Sequence, residues 1–182
     1  MLILEKPRVL ICGSRYWRWP HAVQAVCERL QARYGEALIL IEGAAAGADR
    51  ACHDWCQTRG WDTWRHRCFP VDWAAEKAAR PREYKVAGHE RNIRMLAEAD
   101  PRLIIAFHED LAYQRGGTSD MILRGLLTGV PVWLVPGPDP ARGRWLHPQE
   151  HLPRFPRRRV TAAADLMRRM YPQLQQKIRL AA

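Results

Sequence analysis

The segment ALILIEGAAAGAD occupies residues 37–49 and joins five consecutive apolar residues to a loop of glycines and alanines. An apolar run of this length is typical of a strand buried on both faces of a parallel sheet. Small residues after such a strand let backbone N–H groups face an anion at the start of the next helix. Asp49 falls in the first turn of that helix, where it can accept hydrogen bonds from ribose hydroxyls or complement the helix dipole. A tight packing turn is the alternative interpretation of this loop.

The same alternation of apolar runs and amphipathic segments extends along most of the chain. Further strands are predicted at 8–12, 62–67, 103–107 and 131–135, and helices at 21–34, 48–58, 90–99 and 116–128; residues 72–84 are predicted to be irregular. Strands that alternate with helices form a parallel sheet with right-handed crossovers. We therefore predict an α/β fold: a Rossmann-like three-layer domain with a mainly parallel five-stranded sheet.

The chain changes character after this predicted domain of residues 1–136. Residues 137–182 are predicted to be a Pro/Arg-rich basic C-terminal extension with a short helix that Thr161 could cap. The net charge of the whole chain is +10, and this segment holds 10 of the 29 Lys and Arg residues but only 3 of the 19 Asp and Glu residues. Such an excess is either an electrostatic footprint for nucleic acid or a solvated, arginine-rich surface. Arg157–Arg159, with Trp145 and Phe155 as base-stacking residues, would carry the first function.

The amino-acid composition limits the classes of protein to which this chain can belong. No run of about 18 apolar residues suggests a membrane span, and the N-terminus has no signal-peptide pattern, so we expect a cytoplasmic protein that does not contact membranes. The five cysteines are expected to be reduced thiols in that compartment. Cys52, His53 and Cys56 have a spacing that a metal site could use, but there is no Cys-x-x-Cys pair. We interpret the cysteines as small apolar packing residues and predict no metal site.

Candidate ligand-binding residues follow from the positions of the strands. In open parallel sheets the ligand lies beyond the carboxyl ends of the strands. Gly13-Ser14-Arg15 follows the first strand and offers a sharp turn, a hydroxyl and a guanidinium for phosphate, although it is not the Gly-x-Gly-x-x-Gly fingerprint of dinucleotide dehydrogenases. Residues 116–120, Gly-Gly-Thr-Ser-Asp, form a second potential anion cradle at a helix start, or an ordinary N-cap made by Thr118 or Ser119.

Two further groups complete the predicted site. The segment Gly88–Met95 places polar side chains at the start of a helix, and Trp73 is a candidate for stacking on a base. The predicted ligand-binding residues are Gly13, Ser14, Arg15, Gly43, Ala44, Gly47, Asp49, Trp73, Arg91, Asn92, Gly116, Gly117, Thr118, Ser119 and Asp120.

Taken in order, these motifs resemble the SLOG superfamily, which links the Smf/DprA proteins to the lonely-guy (LOG) phosphoribohydrolases. The set is Gly13-Ser14-Arg15, Gly43–Asp49, Phe69–Trp73, Gly88–Asn92 and Gly117–Asp120. The similarity is greatest to the YspA/YpsA-like branch and covers roughly residues 8–135. It implies a Rossmann-like fold, a nucleotide or nucleotide-derived ligand and a homo-oligomer.

The comparison with the LOG enzymes also shows departures. His89-Glu90-Arg91-Asn92 resembles their Met-His-x-Arg-Lys segment, with Asn92 in place of lysine, and Arg91 matches the arginine implicated in catalysis. Gly117-Thr118 resembles part of their Pro-Gly-Gly-x-Gly-Thr-x-x-Glu loop, but Met121 stands where the glutamate is expected. Cleavage of an N-glycosidic bond needs a carboxylate near the anomeric carbon, which methionine cannot supply.

Three functions are consistent with the sequence. The first is a nucleotide-binding domain, acting as a sensor or processing domain, whose ligand is AMP, ADP-ribose or a molecule like NAD. The second is a LOG-like N-glycosidase that uses Asp120 and Arg91 as catalytic residues. The third is a nucleic-acid-binding protein of the Smf/DprA type that uses the basic C-terminal segment.

Overall fold

The computed structural model describes residues 4–178 and contains one six-stranded sheet flanked by helices. The strands are β1 (Arg8–Gly13), β2 (Ile39–Glu42), β3 (His66–Cys68), β4 (Leu103–Phe107), β5 (Val132–Val135) and β6 (Arg144–Leu146). The helices are α1 (Pro20–Tyr34), α2 (Ala48–Thr58), α3 (Trp73–Ala79), α4 (Val86–Ala99), α5 (Gly117–Thr128), α6 (Pro148–His151) and α7 (Arg157–Met170).

The strand order is β3-β2-β1-β4-β5-β6, with β1 to β5 parallel and β6 antiparallel to β5. The predicted α/β class and the mainly parallel sheet are confirmed, but the predicted count of five strands is wrong. The sixth strand lies at the edge beside β5, inside the segment that we predicted to be an extension. The order of strands reverses between β1 and β4, and in such sheets this is where ligands bind.

Two apolar clusters, one on each face of the sheet, give the three layers. Alternate residues of β1 and β4 point to opposite faces, so Leu10 and Ile104 lie in one cluster and Ile11 and Ile105 in the other. The first cluster is covered by α4, α5 and α7, and the second by α1 and α2. Because both faces are buried, the strands are apolar at every position rather than at every second one.

The C-terminal segment packs against the sheet and helices that precede it. Helix α7 contributes Ala163, Ala164 and Met167 to the same apolar cluster as α5. It begins at Arg157, so Thr161 lies inside the helix, where its hydroxyl donates to the Arg157 carbonyl, and does not cap it. Phe155 is buried against the ring of Tyr113, so its predicted role in stacking on bases is wrong.

Residues 72–84 also differ from the prediction because they include helix α3. Asp72 caps this helix by accepting a hydrogen bond of 3.0 Å from the Ala75 N–H. Among residues 4–178, no helix is long and apolar enough to cross a membrane.

Candidate functional site

A cavity of about 240 Å³ lies beyond the carboxyl ends of β1 and β4, at the point where the strand order reverses. It brings together residues from the loops after β1, β2 and β4, from helix α4 and from the start of α5. Its lining residues are Cys12, Gly13, Ser14, Arg15, Tyr16, Ala45, Asp49, Arg91, Asn92, Met95, His108, Gly116, Gly117, Thr118 and Met121. Nine of the predicted ligand-binding residues are in this set: Gly13, Ser14, Arg15, Asp49, Arg91, Asn92, Gly116, Gly117 and Thr118.

Two glycines allow the loops after β1 and β2 to meet. A Cβ atom on Gly13 would lie 2.5 Å from the Phe107 carbonyl oxygen, and one on Gly47 would lie 2.1 Å from the Ser14 carbonyl oxygen. Gly47 also has a φ of +77°, which side chains rarely adopt. The Ser14 N–H donates to the Phe107 carbonyl at 2.8 Å, which holds the first loop on the end of β4.

The loop of residues 43–47 is predicted to bind an anion, but the N–H groups of Gly43, Ala44 and Ala45 are occupied by carboxylates of the protein. The Gly43 N–H donates to Asp49 at 3.0 Å, and the Ala44 N–H donates to Glu42 at 2.5 Å. The Ala45 N–H also hydrogen-bonds to Asp49. Gly43, Ala44 and Gly47 consequently shape this loop without lining the cavity.

At the start of α5, in contrast to the loop of residues 43–47, no side chain among residues 4–178 accepts hydrogen bonds from the backbone as a cap. Its N-cap residue is Gly116, with a φ of +104°, and no side chain caps the helix, so the predicted capping by Thr118 or Ser119 does not occur. The first N–H groups of a helix have no partner within the helix, and they carry the positive end of its dipole. Gly116, Gly117 and Thr118 line the cavity, so an anion there can accept hydrogen bonds from this turn.

Helix α4 connects the two loops through adjacent polar residues. The Arg91 guanidinium donates to the Gly43 carbonyl and, at 3.1 Å, to the Asn92 side-chain oxygen. The Asn92 amide donates to Asp120 at 2.9 Å and to the Gly117 carbonyl at 3.3 Å. Both residues therefore fix the walls of the cavity as well as line it.

Asp120, a candidate catalytic residue from the sequence, is committed to other side chains. It is 3% exposed and accepts two hydrogen bonds from Arg124, at 2.8 and 3.0 Å. His89 Nδ1 lies 2.9 Å from Oδ1 of Asp120. Burial alone would raise the pKa of Asp120, but the charge of Arg124 and hydrogen bonds from His89 and Arg124 hold that pKa well below its usual range. Asp120 does not line the cavity, and its carboxylate stays ionised and paired.

Asp49 lines the cavity, and the pKa of its carboxyl is shifted in the opposite direction from that of Asp120. The pKa of its carboxyl is raised to about 6, chiefly because burial removes its hydration; the charge of Arg91 and the N–H groups of Gly43 and Ala45 oppose this rise, and the charge of Glu42 adds to it. The largest effect is the loss of hydration, which disfavours the charged form.

Three cavity residues hold groups that can contact a ligand. The Arg15 side chain is exposed and makes no hydrogen bond or ion pair within residues 4–178. His108 Nδ1 is buried and, in the same part of the chain, has no hydrogen-bond partner. Burial lowers the pKa of His108, which favours the neutral ring, although Asp110 and Glu109 oppose this shift. Tyr16 is 81% exposed at the rim of the cavity.

His108 and Tyr16 are not among the individual ligand-binding residues predicted from the sequence, although the strand-end loops Gly13–Tyr16 and His108–Asp120 that contain them are expected to face the ligand. His108 directly follows β4, so the rule that ligands lie beyond the strand ends applies to it as much as to Ser14. Tyr16 follows Arg15 in the loop after β1, so the same signal was present.

Two predicted residues lie elsewhere. Trp73, at the start of α3, does not line the cavity; it is 46% exposed and meets the ring of Tyr84 edge to face. Ser119 is buried and accepts a hydrogen bond of 2.9 Å from Arg159 of α7. Arg159 also donates to the carbonyls of Tyr113 and Gly116, so it supports the α5 loop and is not part of an open basic surface.

One comparison with known proteins gives a match. Residues 7–76 match the family described as YspA, cpYpsA-related SLOG family (YAcAr), which confirms the resemblance inferred from the motifs. The matched segment contains the loops after β1 and β2; α4 and the start of α5 lie beyond it. No curated protein and no solved structure shows significant similarity to this chain.

Proposed function

We propose that the chain binds a nucleotide or nucleotide-derived ligand in the cavity between β1 and β4. The match of residues 7–76 to the YspA, cpYpsA-related SLOG family supports nucleotide-related binding or processing. The observation that carries the proposal is the start of α5, which no side chain caps and which lines the same small cavity as Arg15, whose side chain has no hydrogen-bond or ion-pair partner among residues 4–178. A phosphate group can bind to the start of α5 and to Arg15 at once, because its oxygens accept hydrogen bonds from backbone N–H groups and from a guanidinium.

The size of the cavity favours a mononucleotide over a dinucleotide. Its volume of about 240 Å³ is below the roughly 300–1,000 Å³ of most small-molecule pockets. A phosphate and a ribose fit such a space, with the base outside against the exposed ring of Tyr16. His108 Nδ1 and Asp49 then lie among the polar groups available to the ribose hydroxyls.

We also propose that the chain holds this ligand without cleaving its glycosidic bond. Met121 lines the cavity where the LOG enzymes have glutamate, and Asp120 is fixed by Arg124. The carboxyl group that remains in the cavity lining is that of Asp49, which already accepts hydrogen bonds from the Gly43 and Ala45 N–H groups. Of the two roles expected from the sequence, a sensor needs binding alone, and this is the role that we propose.

A thermal-shift series with AMP, ADP-ribose, NAD and a short single-stranded DNA tests the proposal. A ligand at 100 times its Kd stabilises the folded state by about 2.7 kcal/mol, and we expect this stabilisation with AMP. Arg15→Ala should weaken AMP binding by roughly 10- to 100-fold, since a hydrogen bond to a charged group contributes about 1.5–3 kcal/mol. Arg29→Ala, which removes an exposed arginine of α1 outside the cavity, is the matched control and should bind like the wild type.

Three results would contradict the proposal. An equal loss of AMP binding in both arginine variants would mean that general charge rather than the cavity binds the phosphate. A salt-sensitive shift with DNA and none with nucleotides would favour the nucleic-acid function of the C-terminal segment. Adenine released from AMP, detected by chromatography after overnight incubation, would favour the phosphoribohydrolase function.

A further inference from the structure

A cluster of a carboxylate and two imidazoles lies on the other side of the loop after β2, outside the cavity described above. Glu42 ends β2, His53 lies on α2 and His66 begins β3. His53 Nδ1 is 3.1 Å and His66 Nε2 is 3.0 Å from the same carboxylate oxygen, Oε1 of Glu42. The three potential ligand atoms all lie within 4.8 Å of one another. From this convergence we propose that Glu42, His53 and His66 bind a divalent transition-metal ion of the Zn²⁺ type.

The distances are close to those that such an ion requires. Zinc binds imidazole nitrogen and carboxylate oxygen at about 2.0–2.2 Å, so neighbouring ligands of a tetrahedral site are about 3.3–3.5 Å apart. The separations of 3.0 and 3.1 Å from Glu42 Oε1 need to grow by only a few tenths of an ångström, and the two imidazole nitrogens, which lie within 4.8 Å of each other, need to approach by a side-chain rotation. Two imidazoles and one carboxylate form a donor set that suits zinc, cobalt, nickel or iron(II) better than magnesium or calcium.

The burial of Glu42 provides a second argument. Its side chain is 0% exposed, and its ion-pair partners within residues 4–178 are His53 and His66, with no arginine or lysine. A buried carboxylate without a cation is costly, and a divalent ion supplies the missing charge. The remaining carboxylate oxygen accepts from the Ala44 N–H, which leaves Oε1 directed at the imidazoles.

The cluster also has access for an ion and for a further ligand. His53 and His66 line a cavity of about 350 Å³, together with Cys68 and Trp61. His53 is 30% exposed, so the ion can enter from this side. A metal held by three protein ligands keeps a coordination position for water or another small ligand. Arg67 and Arg94 at the same cavity favour an anionic ligand in that position.

The sequence alone did not reveal this cluster. His53 was considered with Cys52 and Cys56, but those two cysteines are fully buried in the core, beside Cys27. The partners of His53 come from β2 and β3, 11 and 13 residues away, and share no metal-binding motif with it. The inference does not depend on the proposed nucleotide function.

A cobalt titration of the full chain, first treated with EDTA and then dialysed, tests the inference. We expect wild-type protein to bind one Co²⁺ per chain with visible d–d absorption, and Zn²⁺ to displace it. His53→Asn and His66→Asn should each weaken Co²⁺ binding by at least about tenfold, the lower end of what even indirect partners of a metal contribute. His21→Asn removes an exposed histidine of α1 outside the cluster and is the matched control.

Because His53 is partly exposed, His53→Asn should keep its fold, which circular dichroism can verify, even if His66→Asn does not. The inference is overturned if the wild type binds no more Co²⁺ than His53→Asn. It is also overturned if His21→Asn weakens binding as much as His53→Asn. AMP binding by His53→Asn should match that of the wild type, so that failure of this site and failure of the nucleotide site are distinguishable.

Discussion

The first turns of α2 and α5 look alike in the sequence and behave in opposite ways in the structure. Each begins after a glycine in the loop that follows a strand, Gly47 or Gly116, and each carries an aspartate, Asp49 or Asp120. Asp49 turns back to its own loop and occupies the N–H groups of Gly43 and Ala45, which are then not available to an anion. Asp120 turns inward to Arg124, which leaves the start of α5 open. The availability of an anion site thus depends on where the aspartate finds its partner, and not on the loop composition.

The same contrast governs the protonation of the two carboxyl groups. Both are buried, but Asp120 has a guanidinium one helical turn away, whereas Asp49 has Arg91 at a greater distance and Glu42 as a competing charge. Asp120 is therefore ionised under all ordinary conditions, and Asp49 gains a proton near pH 6.

The largest expected effect comes from breaking the Asp120–Arg124 pair. Arg124→Met should lower the free energy of unfolding by about 3–5 kcal/mol, because it leaves the buried Asp120 carboxylate without its guanidinium partner. Urea denaturation at pH 7 measures this loss. Asp165→Asn, which breaks the more exposed pair with Arg168, is the control and should cost about 1 kcal/mol or less. A loss in Arg124→Met no larger than that of the control would show that Asp120 is not held by Arg124.

A smaller effect is expected from the titration of Asp49. Its pKa is about 6 in the folded protein and about 3.9 in the unfolded chain. The folded state therefore holds a proton that the unfolded state has lost, and stability falls as the pH rises from about 4 to 6. This fall should be on the order of 2–3 kcal/mol, and Asp49→Asn should abolish it.

Urea denaturation between pH 4.5 and 7.5, in buffer containing EDTA, compares the two proteins. Asp54→Asn, an exposed substitution on the same helix, should keep the pH dependence of the wild type. If the free energies of unfolding of wild type and Asp49→Asn run parallel over this range, Asp49 does not titrate as proposed.

The smallest effect is expected from His89, the exposed partner of Asp120. Its side chain is 43% exposed, and Arg124 still neutralises the carboxylate when His89 is absent. His89→Asn should cost about 1 kcal/mol or less at pH 7, measured by the same urea denaturation with His21→Asn alongside. A loss as large as that of Arg124→Met would mean that His89, and not the arginine, stabilises Asp120.

Much of the fold could be predicted because its strands are buried on both faces and their apolar runs are continuous. β6 could not, since Arg144-Trp145-Leu146 is short and carries a charged residue at a sheet edge. Helix α3 could have been found from the capping residue Asp72, whose signal is local. A strand that forms because it pairs with a neighbouring strand is harder to predict from the sequence than a strand whose residues are all buried and apolar.

The candidate site, like the fold, could be predicted in part from the sequence. The strand-end rule led to Ser14 and Arg15 and also covers the loop that begins at His108, but it does not single out His108 among the residues of that loop. The pairing of Asp120 with Arg124 was visible as an i, i+4 spacing on one helix. The closure of the loop after β2 by Asp49 was not visible, because helix dipole, ribose and loop N–H groups all attract a carboxylate at that position.

A crystal structure of the full chain grown with AMP tests the central claim most directly. The phosphate oxygens should accept hydrogen bonds from the first-turn N–H groups of α5, at Gly117 and Thr118, and from the Arg15 guanidinium. The loop of residues 43–47 should keep its hydrogen bonds to Asp49 and take no phosphate. AMP bound on that loop, or bound elsewhere with the start of α5 empty, would contradict the claim.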